Sequence, residues 1–338
     1  MSIAINGFGR IGRNVFKIAL EKGISVVAIN DLTDTKTLAY LLKYDSTQGS
    51  FNGSVSYDEQ HIIVNGTAYK VTSERSPLDI PWGMSPDVVI ESTGVFRSRG
   101  GGGKVGYASH LENSAYPAKK VILTVPAKDE IDNMVVLGVN EASLQKKDLC
   151  VSNASCTTNC LAPLVKVLHD HFSIESAMMT TVHSYTNDQI ILDAPHSDLR
   201  RARSAAVSMI PTTTGAARAV GKVLPELQGK IDGVAIRVPT PTGSIVDLVA
   251  NVKKSICKED IDEIMKKAAQ STLKGILQYT DEPIVSVDII HNSHSSIYDA
   301  KSTMVVGNMV KLFSWYDNEW GYSNRVVDLA NLLIKEYL

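Results

Sequence analysis

The chain has 338 residues, which at roughly 150 per domain suggests two domains and leaves ample length to bury a core. Apolar residues make up 44% and charged residues 21%, while 34 basic against 36 acidic side chains leave a formal charge of -2. That balance argues against disorder and against a dominant electrostatic surface for nucleic acid or membrane. The apolar runs are short and interrupted, so no membrane-spanning helix is expected. The start, MSIAINGFGR, lacks the basic and apolar regions of a secretory leader, and four cysteines do not make a disulfide framework, so a cytoplasmic location is expected.

Residues 2–5 form a short apolar run that meets a glycine-rich turn, after which Ile11, Val15, Ile18 and Ala19 recur at helical spacing until Gly23. Residues 24–29 read as a second buried strand, and apolar segments at 88–91, 121–125 and 134–139 suit later strands of a mostly parallel sheet. Arg99 is followed by four glycines, and the stretch from Gly100 to Pro117 reads as a flexible surface excursion, a tolerated insertion. Leu161, Leu164, Val165 and Leu168 mark a helix with Ser155 or Asn153 as its cap, which puts Cys156 near a helix start. Residues 178–182, 233–238 and 245–252 are β-branched and alternating, as strands of a second, mixed sheet would be. The apolar-rich segment 326–338 predicts a terminal helix that returns to the first domain. The expected fold is α/β: a Rossmann-type doubly wound domain of residues 1–155 and 319–338, and an α+β domain of residues 156–318 with a mixed, largely antiparallel sheet.

Gly7, Gly9 and Gly12 spell G-F-G-R-I-G between the first strand and the first helix, where glycine permits a tight turn and close approach to pyrophosphate at the helix N-terminus. Arg10 and Ile11 would lie against that group. Asp31 ends the second strand about twenty residues on, where a carboxylate binds the adenosine ribose hydroxyls and repels a 2'-phosphate, so NAD is expected over NADP. Cys156, in A-S-C-T-T-N, is either a helix-end thiolate or a small buried apolar side chain. His183 ends the run M-M-T-T-V-H and is either a base presented by a strand or a structural imidazole. Cys150, Cys160 and Cys257 have no comparable surroundings. Arg237 stands alone in the apolar A-I-R-V-P and wants an anion, and T-T-T-G at 212–215 offers hydroxyls and amides suited to phosphate. Arg200, Arg201 and Arg203 form a cluster that would, by itself, be a solvated charge run. Neither His169 with His171 nor His291 with His294 has companions at zinc-like spacing, so no metal site is expected.

Together these segments resemble the phosphorylating glyceraldehyde-3-phosphate dehydrogenases of the glycolytic type, from INGFGRIGRN to SWYDNEWGYSNRVVDL. A-S-C-T-T-N, T-V-H-S-Y-T-N-D, L-R-R-A-R, I-P-T-T-T-G-A-A and R-V-P-T-P stand in the family's order and spacing. The resemblance implies that Cys156 attacks an aldehyde, that His183 stabilises the thiolate and accepts a proton as hydride leaves to NAD, and that inorganic phosphate releases the thioester as 1,3-bisphosphoglycerate. It implies that Thr186 and Arg237, with Asp188 nearby, bind the phosphate of glyceraldehyde 3-phosphate. Ser155, Thr157, Thr214, Gly215 and Arg201 match the inorganic phosphate position. Asn318 matches the residue that holds the nicotinamide carboxamide, and Thr93, Gly94 and Thr124 match further cofactor-side positions. Similar enzymes are homotetramers in which the loop after His183 packs near a neighbouring subunit. The excursion at 100–103 and Ala194 before Pro195, where NAD-specific relatives often carry leucine, depart from the family pattern. The alternatives are an erythrose-4-phosphate dehydrogenase, whose relatives tend to lack T-T-T-G, and a binding protein on the same fold.

Overall fold

A computed structural model describes residues 2–338, which separate into two compact units. The first holds the chain to residue 135 together with residues 142–154 and 323–338; the second holds residues 136–141 and 155–322.

In the first unit, β1 (Ser2–Asn6) is buried along its whole length, as a strand covered on both faces must be. The glycine turn leads into α1 (Arg10–Glu21), which Gly23 follows before β2 (Ser25–Asn30). The Asp34 carboxylate accepts the Thr37 amide and caps α2 (Thr35–Lys43). An antiparallel run of β3 (Val55–Tyr57), β4 (His61–Val64) and β5 (Thr67–Thr72) comes next, its second hairpin closed by Asn65 and Gly66 at φ +51° and +82°. Both turn residues have the positive φ that a two-residue hairpin loop requires. The sheet is completed by β6 (Val88–Glu91), β7 (Lys120–Leu123), β8 (Asn133–Met134) and β9 (Cys150–Ser152), in the order β3-β4-β5-β2-β1-β6-β7-β9-β8. All pairings but those of the β3-β4-β5 hairpins are parallel. Chain order reverses at β1, which pairs with β2 on one side and β6 on the other, so a crevice opens at their carboxyl ends.

Two expectations are corrected here. The strand expected over 134–139 is cut to Asn133–Met134, because the Val139 amide turns back to the Val136 carbonyl and Gly138 takes φ +84°. The excursion after Arg99 is exposed along residues 100–105, where the four glycines all hold positive φ, and again at positions such as Glu112 and Pro117, but not throughout. Its second part is a short 3-10 helix, Tyr107–Glu112, built into the interior. Tyr107 and Ala108 pack with Val121, Leu123 and Cys150, the Tyr107 hydroxyl donates to Asp129, and His110 meets Glu91 inside the sheet. Those partners are distant in sequence, so local composition reads the segment as a loop.

The second unit starts with α3 (Cys156–Phe172), capped by Ser155, whose hydroxyl accepts the Thr158 amide at 3.1 Å. There follow β10 (Ile174–Ser184), β11 (Ile210–Thr213), α4 (Ala216–Val223), β12 (Ile231–Val238), β13 (Ser244–Val252), α5 (Lys258–Gln270), β14 (Leu277–Thr280), β15 (Ser296–Asp299), β16 (Met304–Val306) and β17 (Met309–Tyr316). The sheet runs β11-β12-β10-β13-β17-β15-β14, with β16 on β17. It is mixed and largely antiparallel; only β10 with β12 and β14 with β15 pair parallel. Side chains of β13 alternate buried and half-buried, the period-2 pattern of a strand with one covered face. The terminal helix α6 (Trp320–Glu336) lies in the first unit from Ser323 onward. Among the described residues no helix is long and apolar enough to cross a membrane.

Candidate active site

Cys156 is the first residue of α3, where the backbone amides give the helix a positive end. His183 lies near the end of β10 and is buried. Helix and strand bring Cys156 Sγ to 3.4 Å from His183 Nε2. The other face of the imidazole is crowded: Nδ1 is 2.7 Å from the Ser184 carbonyl and 2.6 Å from Arg237 Nη1. The Tyr316 ring meets the imidazole edge-on, and its hydroxyl bonds both Thr157 and Thr181 at 2.8 Å, tying the start of α3 to β10.

Burial pushes the Cys156 thiol up, and the Arg237 cation and the Thr157 contacts pull it back. Burial, aided by Arg237, pushes His183 down to about 3, against the opposing effect of the Ser184 carbonyl. Each charge is therefore disfavoured alone, whereas a thiolate and imidazolium formed together attract each other across the contact. At Cys150 and Cys160 burial dominates, outweighing Arg99 and Lys120 at the first and the Ser314 and Ser296 contacts at the second, and pushes both up to about 12; Cys257 is exposed and donates to Asp260.

Arg237 is mostly buried in β12, its Nη1 donates to the Ser184 carbonyl, and its Nε has no partner. A buried guanidinium without a carboxylate against it is suited to an incoming anion. Thr186 sits beyond β10, where its amide donates to Gln189 Oε1. Arg201 is bound by the Asp188 carboxylate and the Thr212 hydroxyl, with Asp198 at 3.5 Å. The sequence suggested Asp188 beside the Thr186 and Arg237 position; its direct ion pair is with Arg201. Arg203 pairs with exposed Asp193. The Thr214 hydroxyl accepts the Ala216 amide, and Gly215 precedes α4 without a side-chain cap. Ser155 spends its hydroxyl on Thr158, and Thr157 spends its own on Tyr316.

In the first unit a cleft of about 390 Å³ opens at the carboxyl ends of β1, β2 and β6, lined among others by Gly7, Gly9, Asp31 and Thr93. A side chain at Gly7 would place its Cβ 2.7 Å from the Thr93 amide nitrogen, and one at Gly12 would meet the Gly7 carbonyl at 2.0 Å; at Gly9 the space is open. The first two glycines let backbone pack on backbone, and the third leaves the uncapped start of α1 open to a pyrophosphate. The Asp31 carboxylate accepts the Phe8 amide on one oxygen at 2.7 Å and the Thr33 amide on the other at 2.9 Å. Each oxygen keeps lone-pair capacity for a ribose hydroxyl. These residues fit a dinucleotide. Arg10 turns its guanidinium to Asp45, Ile11 is half-buried on α1, Gly94 is exposed at φ +72°, and Thr124 donates to the Glu91 carbonyl, so none of these four lines the cleft. Asn318 lies in the second unit, its Oδ1 accepting the Ser244 hydroxyl at 2.8 Å.

Residues 1–99 match the family profile described as glyceraldehyde 3-phosphate dehydrogenase, NAD binding domain, and residues 155–318 match that of the C-terminal domain. The chain belongs to the glyceraldehyde-3-phosphate dehydrogenase family. The protein of that name in Borreliella burgdorferi is 62% identical, over 99% of this chain and 100% of the relative. Its namesake in Geobacillus stearothermophilus is 56% identical, over 98% and 97% respectively. The one in Mycolicibacterium smegmatis is 51% identical, over 98% of each chain.

Within this glyceraldehyde-3-phosphate dehydrogenase scaffold, sequence reasoning missed Asn6, Asn30, Glu74, Arg75 and Phe96, which also line the cleft. Asn6 and Asn30 carried a signal: each is a polar residue ending an otherwise apolar buried strand. Tyr316 carried none, because its role depends on a ladder that sets β17 near β10. Of the histidines set aside as metal candidates, His169 accepts the Ile174 amide and His171 contacts the Val167 carbonyl, while His294 Nδ1 meets Asn292 Oδ1 and the His291 ring packs on Trp320. Among the described residues no group of three or more His, Cys, Asp or Glu is placed to hold a metal ion.

Proposed function

We propose that the chain oxidises D-glyceraldehyde 3-phosphate to 1,3-bisphosphoglycerate with NAD and inorganic phosphate, in glycolysis or gluconeogenesis. The observation that carries this reading is the Cys156–His183 contact at a helix start, with the Arg237 guanidinium, whose Nε has no partner, against the same imidazole. His183 Nε2 takes the thiol proton as Cys156 Sγ bonds the aldehyde carbon, then returns it to the carbonyl oxygen to give a thiohemiacetal. Bound NAD supplies the hydride acceptor. As hydride leaves carbon, His183 takes the hydroxyl proton and the carbonyl re-forms as a Cys156 thioester. A phosphate oxygen then bonds the acyl carbon, the C–S bond breaks, and the thiolate is regenerated.

Arg237 and Thr186 hold the substrate phosphate in this reading. Ser155, Thr157, Thr214, Gly215 and Arg201 form the inorganic phosphate position, where Asp188 competes with phosphate for Arg201. Gly7, Gly9, Arg10, Ile11, Gly12, Asp31, Thr93, Gly94 and Thr124 serve the cofactor, and Asn318 orients the nicotinamide carboxamide. In this reading residues 1–155 with 319–338 serve as the NAD-binding domain and 156–318 as the catalytic one, bounds that differ from the two compact units at 136–141, at 155 and at 319–322. The protein works as a cytoplasmic homotetramer, a reading supported by the exposed Ile191, Leu192, Leu199, Val207 and Met209 on the loop after β10.

Reduced-cofactor absorbance tests the reaction, with glyceraldehyde 3-phosphate or erythrose 4-phosphate, NAD or NADP, and with or without phosphate. The expected result is phosphate-dependent NADH formation from the triose. Preference for the tetrose or turnover without phosphate would overturn it, and complete inactivity would favour a binding protein.

A further inference from the structure

A continuous hydrogen-bonded chain runs beneath the nucleotide cleft across β2, β1 and β6, and its direction is fixed. Asn30 Nδ2 donates to the Glu74 carbonyl at 2.9 Å while its Oδ1 accepts the Glu74 amide at 2.9 Å. A backbone carbonyl and amide cannot exchange roles, so the Asn30 amide group has one orientation. Asn30 Nδ2 also donates to Asn6 Oδ1 at 2.8 Å, which turns Asn6 Nδ2 to Glu91 Oε2 at 2.6 Å. The other oxygen, Oε1, accepts the Thr93 amide at 2.9 Å and the Thr93 hydroxyl. Both Glu91 oxygens therefore accept, and Oε2 also meets His110 Nε2 at 2.9 Å. Glutamine would set its NH₂ against Asn6 Nδ2 or against the Thr93 amide, so one of these two contacts is lost.

Thr93 is where this chain meets the cleft. The Gly7 backbone packs directly on Thr93, and the neighbouring Ser92 hydroxyl donates to the Gly7 carbonyl at 2.6 Å. The glycine turn therefore rests on the segment that Glu91 holds.

We infer that Glu91 is a positioning residue for the dinucleotide, its fully buried carboxylate fixing Thr93 and, through Thr93, the glycine turn that receives the pyrophosphate. The role rests on the NAD site described above and extends it to a side chain that does not line the cleft. Titration calorimetry of NAD and of ADP-ribose, with wild type, Glu91→Gln and Thr93→Val, tests it. Glu91→Gln raises both Kd values about tenfold, one lost buried hydrogen bond's worth. Thr93→Val, which removes the hydroxyl and spares the amide, raises them less, by about threefold. Alkylation of Cys156 by iodoacetamide in cofactor-free protein stays within about twofold of wild type, as for a site whose thiol environment is unchanged. Wild-type affinity in folded Glu91→Gln overturns the role, and where that variant fails to fold, wild-type affinity in Thr93→Val does so. Loss of binding with an equal loss of alkylation marks Glu91 as a residue of general folding and also overturns it. A wild type that binds no NAD overturns the underlying site assignment first.

Discussion

Cys156 and His183 stand where either charge alone is costly, and this determines how the thiol responds to pH. With burial raising the thiol and lowering the imidazole to about 3, both are neutral near pH 7 unless the proton crosses the 3.4 Å between them. That transfer neither takes up nor releases a proton, so the thiolate population it creates does not depend on pH. Wild-type alkylation by iodoacetamide is expected to be flat across the neutral range. In His183→Gln the thiol must ionise alone against its raised value, so the rate is lower at pH 7 and climbs about tenfold per pH unit. Parallel slopes in the two proteins would sink the proton hand-over. The same substitution should lower kcat by roughly a hundredfold or more, as loss of a general base does. Asp31, which lines the first unit's cleft, makes a separate case: in the proposed reading Asp31→Ala removes the ribose acceptor and the carboxylate that would repel a 2'-phosphate. NAD affinity should fall about tenfold while discrimination against NADP narrows, and unchanged affinities in calorimetry would count against the ribose contact.

The start of α1 shows how one carboxylate ties a helix to the chain that follows it. Asp45 is buried, which pushes its carboxyl up, but the Gln48 amide, Arg10 and the Thr47 amide outweigh burial and hold it down at about 2; Lys17 lies at 3.3 Å. Because the folded value lies below that of a free aspartate, about 4, the stabilisation is present above about pH 4 and is lost as pH falls through about 2. Its size is about 2 kcal/mol. Asp45→Asn should lower the melting temperature by several degrees at pH 7, with the gap to wild type closing as pH approaches 2. A gap of constant size down to pH 2 would rule out the ion cluster as the cause. Elements of this kind differ in how much of them the sequence discloses. The α3 start was legible because Ser155 and Thr158 are three residues apart, and the β4–β5 turn carried an Asn65–Gly66 signal within two residues. Tyr107 and His110 were illegible because their burial depends on Asp129 and Glu91, which sequence separates from them. In the candidate site, local patterns singled out Cys156, His183, Arg237 and Asp31, whereas the supporting Tyr316 emerges only from strand pairing.

Taken as a whole, the molecule leaves apolar surface that its own fold does not cover. After β10 the second unit sends out a long loop on which Ile191, Leu192, Leu199, Val207 and Met209 are each at least three-quarters exposed. Single exposed apolar residues are ordinary, but five large ones on one segment are what an interface between copies provides. The same loop carries Asp188 and Arg201, so packing it against another subunit would restrain their ion pair, at the position proposed for inorganic phosphate. Light scattering coupled to size exclusion should give a mass of four chains for wild type. Leu192→Glu with Leu199→Glu buries two unpaired carboxylates on assembly, and should weaken association by at least about a hundredfold. The dissociated variant should keep NAD binding in the first unit while its KM for inorganic phosphate rises. A monomeric wild type would remove the tetramer, and a dissociated variant with an unchanged phosphate KM would separate assembly from the Arg201 position.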